Sequence, residues 1–424
     1  MSTTLLALET LIAKELGYAG GTPTAGATTT VTDTSSDSPF STGDSSQLFQ
    51  NAWVRIESDS AGTPRNVGDI RRITTYTPSN QQVTHDAFDY TNATTMTYGV
   101  HMGLPPTRVG LDKGLLEYIN EVLRNTMYRN KLLLTLVTDG DMETSGVTNW
   151  TDATSGGTVA KSTATGITLG KQSLAITAGA ANGYARTANI DVTSGQRYHV
   201  AVDVMCAGTE AQLGATLEVY DATNSASVGT VSSGAHARSQ RYLWLNFTVP
   251  STCSNIQVRL RGDTASGTNY WDNLSLRQLN NKEANLPSWF VNPHWAEELY
   301  YWGGGTTASS GSDRAADERT YTRMNWWRIV QDHTGLTPYK IQYSPDPPPG
   351  SHLFLECIRP YDEMSALTGT TDADQDLIKS WVLARVYADR DKKELAQRWL
   401  LEAQLLHRRH HPVVRRRIQL GEPF

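Results

Sequence analysis

The stretch from residue 135 to 280 constrains the fold most, because it holds almost no helical periodicity and its apolar residues recur at every second position. Tyr198, Val200, Val202 and Val204 make one such run. Leu217 with Val219, Tyr242 with Trp244 and Asn246, and Ile256 with Val258 and Leu260 make others, and turn residues separate them. A period of two puts alternate side chains on opposite faces of a strand, so these runs predict a β-sandwich.

The flanks read differently. Leu5, Leu8, Leu11, Ile12 and Leu16 recur at helical spacing, and Gly17 stands where a helix would stop. Residues 18–50 are rich in Thr, Ser and Gly and predict an extended arm. Trp53, Val54 and Ile56, then Ile70, Ile73 and Tyr76, then Tyr98, Val100 and Met102 predict three strands of a small antiparallel sheet. A helix follows, with Leu115, Leu116, Ile119, Val122, Leu123 and Met127 on one stripe.

Beyond residue 280, Trp326 to Val330, Tyr339 to Tyr343, and Leu353 to Cys357 predict three more strands, and Thr306–Asp317 a loop. Leu377, Trp381, Ala384 and Ala388 predict a helix with Asp372 as its cap, and Leu395, Trp399, Ala403 and Leu406 a second one, the pair forming a hairpin turned near Asp389–Asp391. A foreign sandwich between two stretches of similar texture implies an insertion. Residues 1–134 and 281–424 are expected to form one split α+β host domain, with residues 135–280 as an inserted all-β domain.

A chain of 424 residues can bury such cores without disulfide help. Its three cysteines are odd in number, and Cys206 and Cys253 are expected to be buried thiols rather than a bridge. The formal net charge of −6 gives no global basic field for nucleic acid or membrane. Glu9, Lys14 and Glu15 interrupt the N-terminal apolar run, which does not read as a signal peptide, and no stretch is apolar enough to span a bilayer. The product is expected to stay where it is made, in a host cytoplasm, or to join an assembly there.

Two short motifs frame the central region. Thr138-Asp139-Gly140-Asp141-Met142-Glu143, with Trp150 soon after, resembles the opening of carbohydrate-binding modules of families 4, 9 and 22, and Tyr270-Trp271-Asp272-Asn273-Leu274-Ser275-Leu276 resembles their terminal strand. Asn273 departs mildly from that pattern. The resemblance covers about a third of the chain and implies a jelly-roll sandwich. It also implies that the two motifs meet around a structural calcium, with Glu143 and Asp272 as candidate ligands and Asp139 or Asp141 as further ones, because hard cations take oxygen ligands. The plain alternative is that these acids cap strand ends and turns. Sugar binding needs exposed aromatic faces flanked by hydrogen-bonding groups. Trp150, Tyr184, Trp244 and Tyr270 are the candidates, with Tyr198 and Tyr242 also available. Arg261-Gly262-Asp263 spells an adhesion tripeptide, but Gly-Asp is ordinary turn chemistry at a strand end.

The flanking halves resemble head–tail adaptor (connector or neck) proteins of tailed bacteriophages. The order of features carries this: a short helix, a loose arm, Trp53-Val54-Arg55-Ile56, Gly68 to Ile73, Leu104-Pro105-Pro106 before a helix, and Arg359 to Met364 opening into a helical hairpin. The resemblance implies a virion structural protein at the head–tail junction. It would form a ring of roughly twelve copies under the portal protein, meeting tail or nozzle proteins below. The sandwiches would project outward toward host-surface glycans, where repetition supplies avidity. The basic tail, with Arg408, Arg409, Arg415, Arg416 and Arg417, is then a candidate for contact with the portal or, non-specifically, with DNA in the channel. A solvated tail and a metal-binding cluster of His407, His410 and His411 are the other readings.

No Gly-x-Ser-x-Gly elbow, His-Glu-x-x-His or Walker loop is present, and Glu297-Glu298 reads as solvated charge rather than a glycosidase pair. A non-enzymatic structural and binding protein is therefore expected. A tail fibre acting through the sandwich and a glycan-active enzyme with an accessory module are the alternatives. The first should show repeats or a coiled coil, and the second a catalytic domain.

Overall fold

The computed structural model describes residues 3–36, 38–42, 49, 52–60, 66–92, 94–102, 104–108, 113–180, 183–207, 214–233, 240–262, 267–303, 321–332, 337–348, 350–365, 367 and 369–410. The chain divides into two compact units, residues 1–128 with 360–424, and residues 129–359.

Among the described residues, the first unit packs four α-helices, a seven-stranded sheet and a two-stranded ladder of Thr3–Thr4 with Thr370–Thr371. Helix α1 (Leu5–Leu16) is capped by Thr4, whose hydroxyl accepts from Ala7 N at 3.2 Å, and it ends on Gly17 at φ 95, a conformation that favours glycine. Helices α2 (Leu115–Asn125) and α3 (Gln375–Asp389) share its core through Leu8, Ile12, Ile119, Val122, Val382 and Val386. Asp374, not Asp372, caps α3, since its carboxylate accepts from Leu377 N at 2.8 Å. After a turn at Asp391 (φ 57) comes α4 (Lys393–His410).

The arm expected over residues 18–50 is corrected for its described part. Tyr18–Gly21, Ala25–Ala27 and Thr30–Thr32 are strands of a seven-stranded antiparallel sheet, with Val31 and Phe40 in its core. Small residues let Gly20 and Gly21 lie where a Cβ would strike Tyr98 O and Asp33, so the weak apolar content reflects close backbone packing rather than freedom. Glu9, which breaks the apolar stripe of α1, is buried and ion-paired with buried Arg55, and desolvation still holds its carboxyl above the usual range.

The second unit is wider than residues 135–280. A four-stranded sheet containing Met127–Leu133, Ala296–Gly303 and Ser351–Pro360, and a three-stranded sheet containing Glu283–Asn285, Trp326–Gln331 and Tyr339–Ser344, belong to it. Leu134, Leu286, Phe290, Leu299, Tyr343 and Leu355 form their core. These strands, expected with the host half, instead accompany the sandwich because their apolar faces are buried within this unit. The Thr306–Asp317 loop lies outside the described residues.

The sandwich has eleven strands: β1 (Trp150–Ala153), β2 (Thr158–Ser162), β3 (Ser173–Thr177), β4 (Tyr184–Thr187), β5 (Ile190–Asp191), β6 (Arg197–Ala207), β7 (Ala215–Asp221), β8 (Ala226–Ser232), β9 (Gln240–Thr248), β10 (Asn255–Gly262) and β11 (Thr268–Gln278). One sheet runs β1-β4-β10-β7-β8, with β5 also on β10, and the other runs β2-β3-β11-β6-β9. Both are antiparallel. Val200, Val202, Val204, Leu217, Val219, Val258, Leu260 and Trp271 alternate inward to a shared core. Cys206 and Cys253 form no disulfide and are buried in that core.

Candidate functional site

Asp272 and Glu143, one from each framing motif, hold the loop before β3. Asp272 is fully buried, and its Oδ2 accepts from Thr168 N at 2.6 Å and Leu169 N at 3.0 Å, while Oδ1 accepts from Asn273 N at 2.8 Å. Glu143 Oε1 accepts from Lys171 N at 2.7 Å and Gln172 N at 2.9 Å. Between those pairs, a Cβ on Gly170 would lie 2.3 Å from Glu143 Oε1, and Gly170 has φ 86. Asp139 Oδ2 takes the ammonium of Lys161 at 2.7 Å and the indole N–H of Trp150 at 3.1 Å, and its Oδ1 accepts from Thr144 N at 2.8 Å. Lys161 also donates to Met142 O at 2.7 Å. Asp141 Oδ1 accepts from Glu143 N at 3.4 Å.

The two motifs thus meet in space, but by capping a loop. Burial raises the carboxyls of Asp141, Glu143 and, most, Asp272 above their ordinary values, with the amide donors opposing it. These residues do not fit a calcium cage. The acids bind amides, the cation held by Asp139 is Lys161, and among the described residues no group of three or more His, Cys, Asp or Glu side chains could hold a metal ion.

The four aromatic candidates do not share one face. Trp150 points into the core. Trp244 is 6% exposed on the outer face of the five-stranded sheet, where Tyr242 is also buried, and Tyr270 is half-buried on the same sheet. Tyr198 lies in the core. That outer face is covered by Pro347, Pro348 and residues 350–352 of the same unit. Arg277 Nη2 donates to Pro347 O at 2.9 Å, Ser275 Oγ lies 2.8 Å from His352 Nδ1, and the His352 ring meets Tyr242 edge-on at 5.1 Å. A Cβ on Gly350 (φ 73) would stand 3.0 Å from Trp244 Nε1. Beneath this strap His199 is buried and hydrogen-bonded to Asn246 at 2.8 Å, and desolvation, with Arg277 nearby, pushes its imidazole down to about 3. Trp244 and Tyr242 therefore offer no ring face to a ligand. At the end of this face a crevice of about 390 Å³ is lined by Leu136, Tyr198, Arg277, Gln278 and Asn281.

Among the described residues, the outer face of the six-stranded sheet carries no such cover. Pairing fixes its layout: Tyr184 opposes Arg261 and Arg186 opposes Arg259 across β4 and β10, while Thr216 opposes Arg261 and Glu218 opposes Arg259 across β7 and β10. The Arg259 guanidinium lies 3.2 Å from the Tyr220 ring centroid and 4.7 Å from that of Tyr184. Glu218 Oε2 accepts from Arg261 Nη1 at 3.2 Å and stands 3.7 Å from Arg259 Nη1. Arg186 Nη1 donates to Gln257 at 3.3 Å. Tyr184, Tyr220 and Arg186 are half-buried, and the side chain of Arg261 is 24% exposed.

Of this set only Tyr184 was a sequence candidate. The others were readable, because Glu218 and Tyr220 interleave with Leu217 and Val219, and Gln257, Arg259 and Arg261 with Ile256, Val258 and Leu260. Arg261 and Gly262 of the adhesion tripeptide lie within β10, and Asp263 is outside the described residues. In the basic tail, Arg408 is exposed near the end of α4 and Arg409 is in the same helix, whereas His411, Arg415, Arg416 and Arg417 lie outside the described residues. No helix is long and apolar enough among the described residues to cross a membrane.

Residues 134–267 match a family described as carbohydrate binding domain. No curated protein matches the chain at a significant level. Among solved structures, the C-terminal family 22 carbohydrate-binding module of Clostridium thermocellum Xyn10B is 17% identical over 35% of this chain and 92% of its own, with a TM-score of 0.29. The enzymatically active domain of bacteriophage CBA120 tailspike protein 4 is 14% identical over 34% of this chain, with a TM-score of 0.28, and the match spans only 22% of that tailspike chain. A family 4 carbohydrate-binding module is 13% identical over 34% of this chain and 99% of its own, with a TM-score of 0.26.

Proposed function

We propose that this chain is a carbohydrate-binding protein whose ligand face is the outer surface of the β1-β4-β10-β7-β8 sheet. One observation carries the reading. Within the region that matches a carbohydrate binding domain, this face sets the Tyr184 ring beside the Arg259 guanidinium stacked on Tyr220, with Arg186 and Gln257 next to them, and among the described residues no chain segment is strapped over it. Aromatic bodies flanked by fixed hydrogen-bonding groups are what a pyranose ring needs. The role is binding, without catalysis. Affinity electrophoresis of the whole chain through gels containing defined polysaccharides tests it. Retardation by at least one polysaccharide, weakened by Tyr184→Ala, is expected. Unchanged mobility in all of them overturns the reading.

A second reading concerns residues 1–128 and 360–424. We propose that they form the adaptor ring of a tailed-phage head–tail junction, with the portal as partner. Its support is the hairpin of α3 and α4. Leu401 and Leu405 are 61% and 66% exposed, on the side of α4 opposite buried Ala403, beside exposed Arg398 and Arg408. Mass measurement of the chain alone and mixed with its cognate portal tests this. A ring matching the portal's symmetry is expected, and a stable trimer without portal affinity overturns it in favour of a tail-fibre role.

A further inference from the structure

We propose that the ligand of the outer β4-β10-β7 face is an anionic polysaccharide, one bearing carboxylate or sulfate groups, held by Arg186, Arg259 and Arg261. This deepens the carbohydrate reading above and rests on it.

The first observation is a strand-pairing conflict. Arg186 and Arg259 are direct cross-strand partners, and like charges placed opposite one another on a sheet are destabilising. Arg259 and Arg261 stand two residues apart on the same face of β10, so three guanidiniums occupy two adjacent strands. A local arrangement that costs stability without a compensating contact is expected at a functional site.

The second observation is the count of opposing charge. Glu218 is the carboxylate in contact with this cluster, and one of its oxygens serves both Arg261, at 3.2 Å, and Arg259, at 3.7 Å. Asp191 sits farther along the face, bonded to Asn255 at 2.6 Å across β5 and β10. Arg186 has an amide oxygen, Gln257, and no carboxylate among its described contacts. Among the described residues the patch is thus net positive, on a chain whose formal charge is −6.

The third observation concerns the rings. Arg259 covers Tyr220 at 3.2 Å, so that ring presents a guanidinium rather than its own face. Stacking on an aromatic holds the fork in place and leaves its edge for a planar or tetrahedral anion. The Arg261 side chain is 24% exposed and the Arg259 side chain 12%, so the solvent-facing edge of the cluster is the Arg261 guanidinium. A neutral glycan would leave the Arg186–Arg259 repulsion in place, whereas an acidic one relieves it.

The test compares polymers that differ only in charge. The intact chain is run by affinity electrophoresis against polygalacturonate and against its fully methyl-esterified form, at low and at physiological salt. Retardation by polygalacturonate alone, falling as salt rises, is expected. Arg186→Gln and Arg261→Gln should each weaken it about tenfold. Glu218→Gln should strengthen it, because a competing carboxylate is gone, and mere disruption of the face cannot give that sign. Melting curves of all three variants establish that they fold. Equal retardation by both polymers overturns the anionic assignment while leaving carbohydrate binding intact. If neither polymer retards the chain and a neutral glycan does, the assignment also fails. If no polysaccharide of either kind retards it, the carbohydrate reading itself fails.

Discussion

The two outer faces of the sandwich have similar raw material and different fates. Each carries aromatic, polar and basic side chains at alternate positions: His199, Tyr242, Trp244 and Arg277 on one, Tyr184, Tyr220, Arg259 and Arg261 on the other. On the first, Pro347, Pro348, Gly350 and His352 lie against Ser275, Arg277, Tyr242 and Trp244, and the face has become an interior. On the second, the side chains meet one another and solvent. Aromatic content therefore does not identify a binding face; what packs over it does.

This contrast can be broken by mutation, and the largest effect belongs to the covered face. Trp244→Ala should cost about 3–5 kcal/mol, seen as a fall in the melting midpoint, because it leaves a cavity under the strap. A loss no greater than that of a surface substitution would mean that the strap does not bury this ring. Gly350→Ala comes next. A left-handed backbone at φ 73 and a Cβ 3.0 Å from Trp244 Nε1 predict a loss of about 1–2 kcal/mol.

The third effect is a pH dependence. The unfolded chain protonates His199 near its ordinary value, while the folded chain resists until about 3. Its contribution is thus complete above about pH 6.5 and is lost as pH falls toward 3. Raised Asp272, Asp141 and Glu143 act in the opposite sense, gaining stability as pH falls toward their unfolded values. The difference between wild type and His199→Gln isolates the imidazole, and wild type should lose its relative advantage between pH 7 and 5. A constant difference across that range would contradict a neutral buried His199.

On the open face, Arg186→Gln should raise stability by about 0.3 kcal/mol, since it removes one member of a like-charged pair. A clear loss in denaturant midpoint would show that the arginines support the sheet rather than await a ligand. The loop between the faces provides a null. Calcium at about 1 mM should leave the melting midpoint unchanged, because Lys161 and backbone amides already satisfy Asp139, Glu143 and Asp272. A rise of several degrees would show that the acids converge on an ion instead.

Alternation in Tyr198–Val204 and Ile256–Leu260 and the stripes of α1 and α2 were legible, since each reports which side of an element is buried, whereas α3 buries Ile378, Val382, Leu383 and Val386 and leaves Ala388 of the expected stripe exposed. The strands at residues 18–32 were not. Thr, Gly and Ala carry little apolar signal, and their pairing depends on Tyr98, Thr84 and other residues far away in sequence. For the site, the framing acids could be read as a group but not as ligands or caps, because that depends on which amides and which lysine reach them.

By itself, then, the sequence determined the two-residue period of a sandwich, the motifs that open and close it, and the helical hairpin after it. Those are local patterns, set by how side chains alternate along one element. Only the tertiary structure decided that Trp244 is interior, that Arg259 stacks on Tyr220, that residues 281–359 accompany the sandwich, and that Lys161 is the cation beside Asp139. Each of these follows from contacts between residues distant in the chain, where packing and charge pairing rather than periodicity choose the partner.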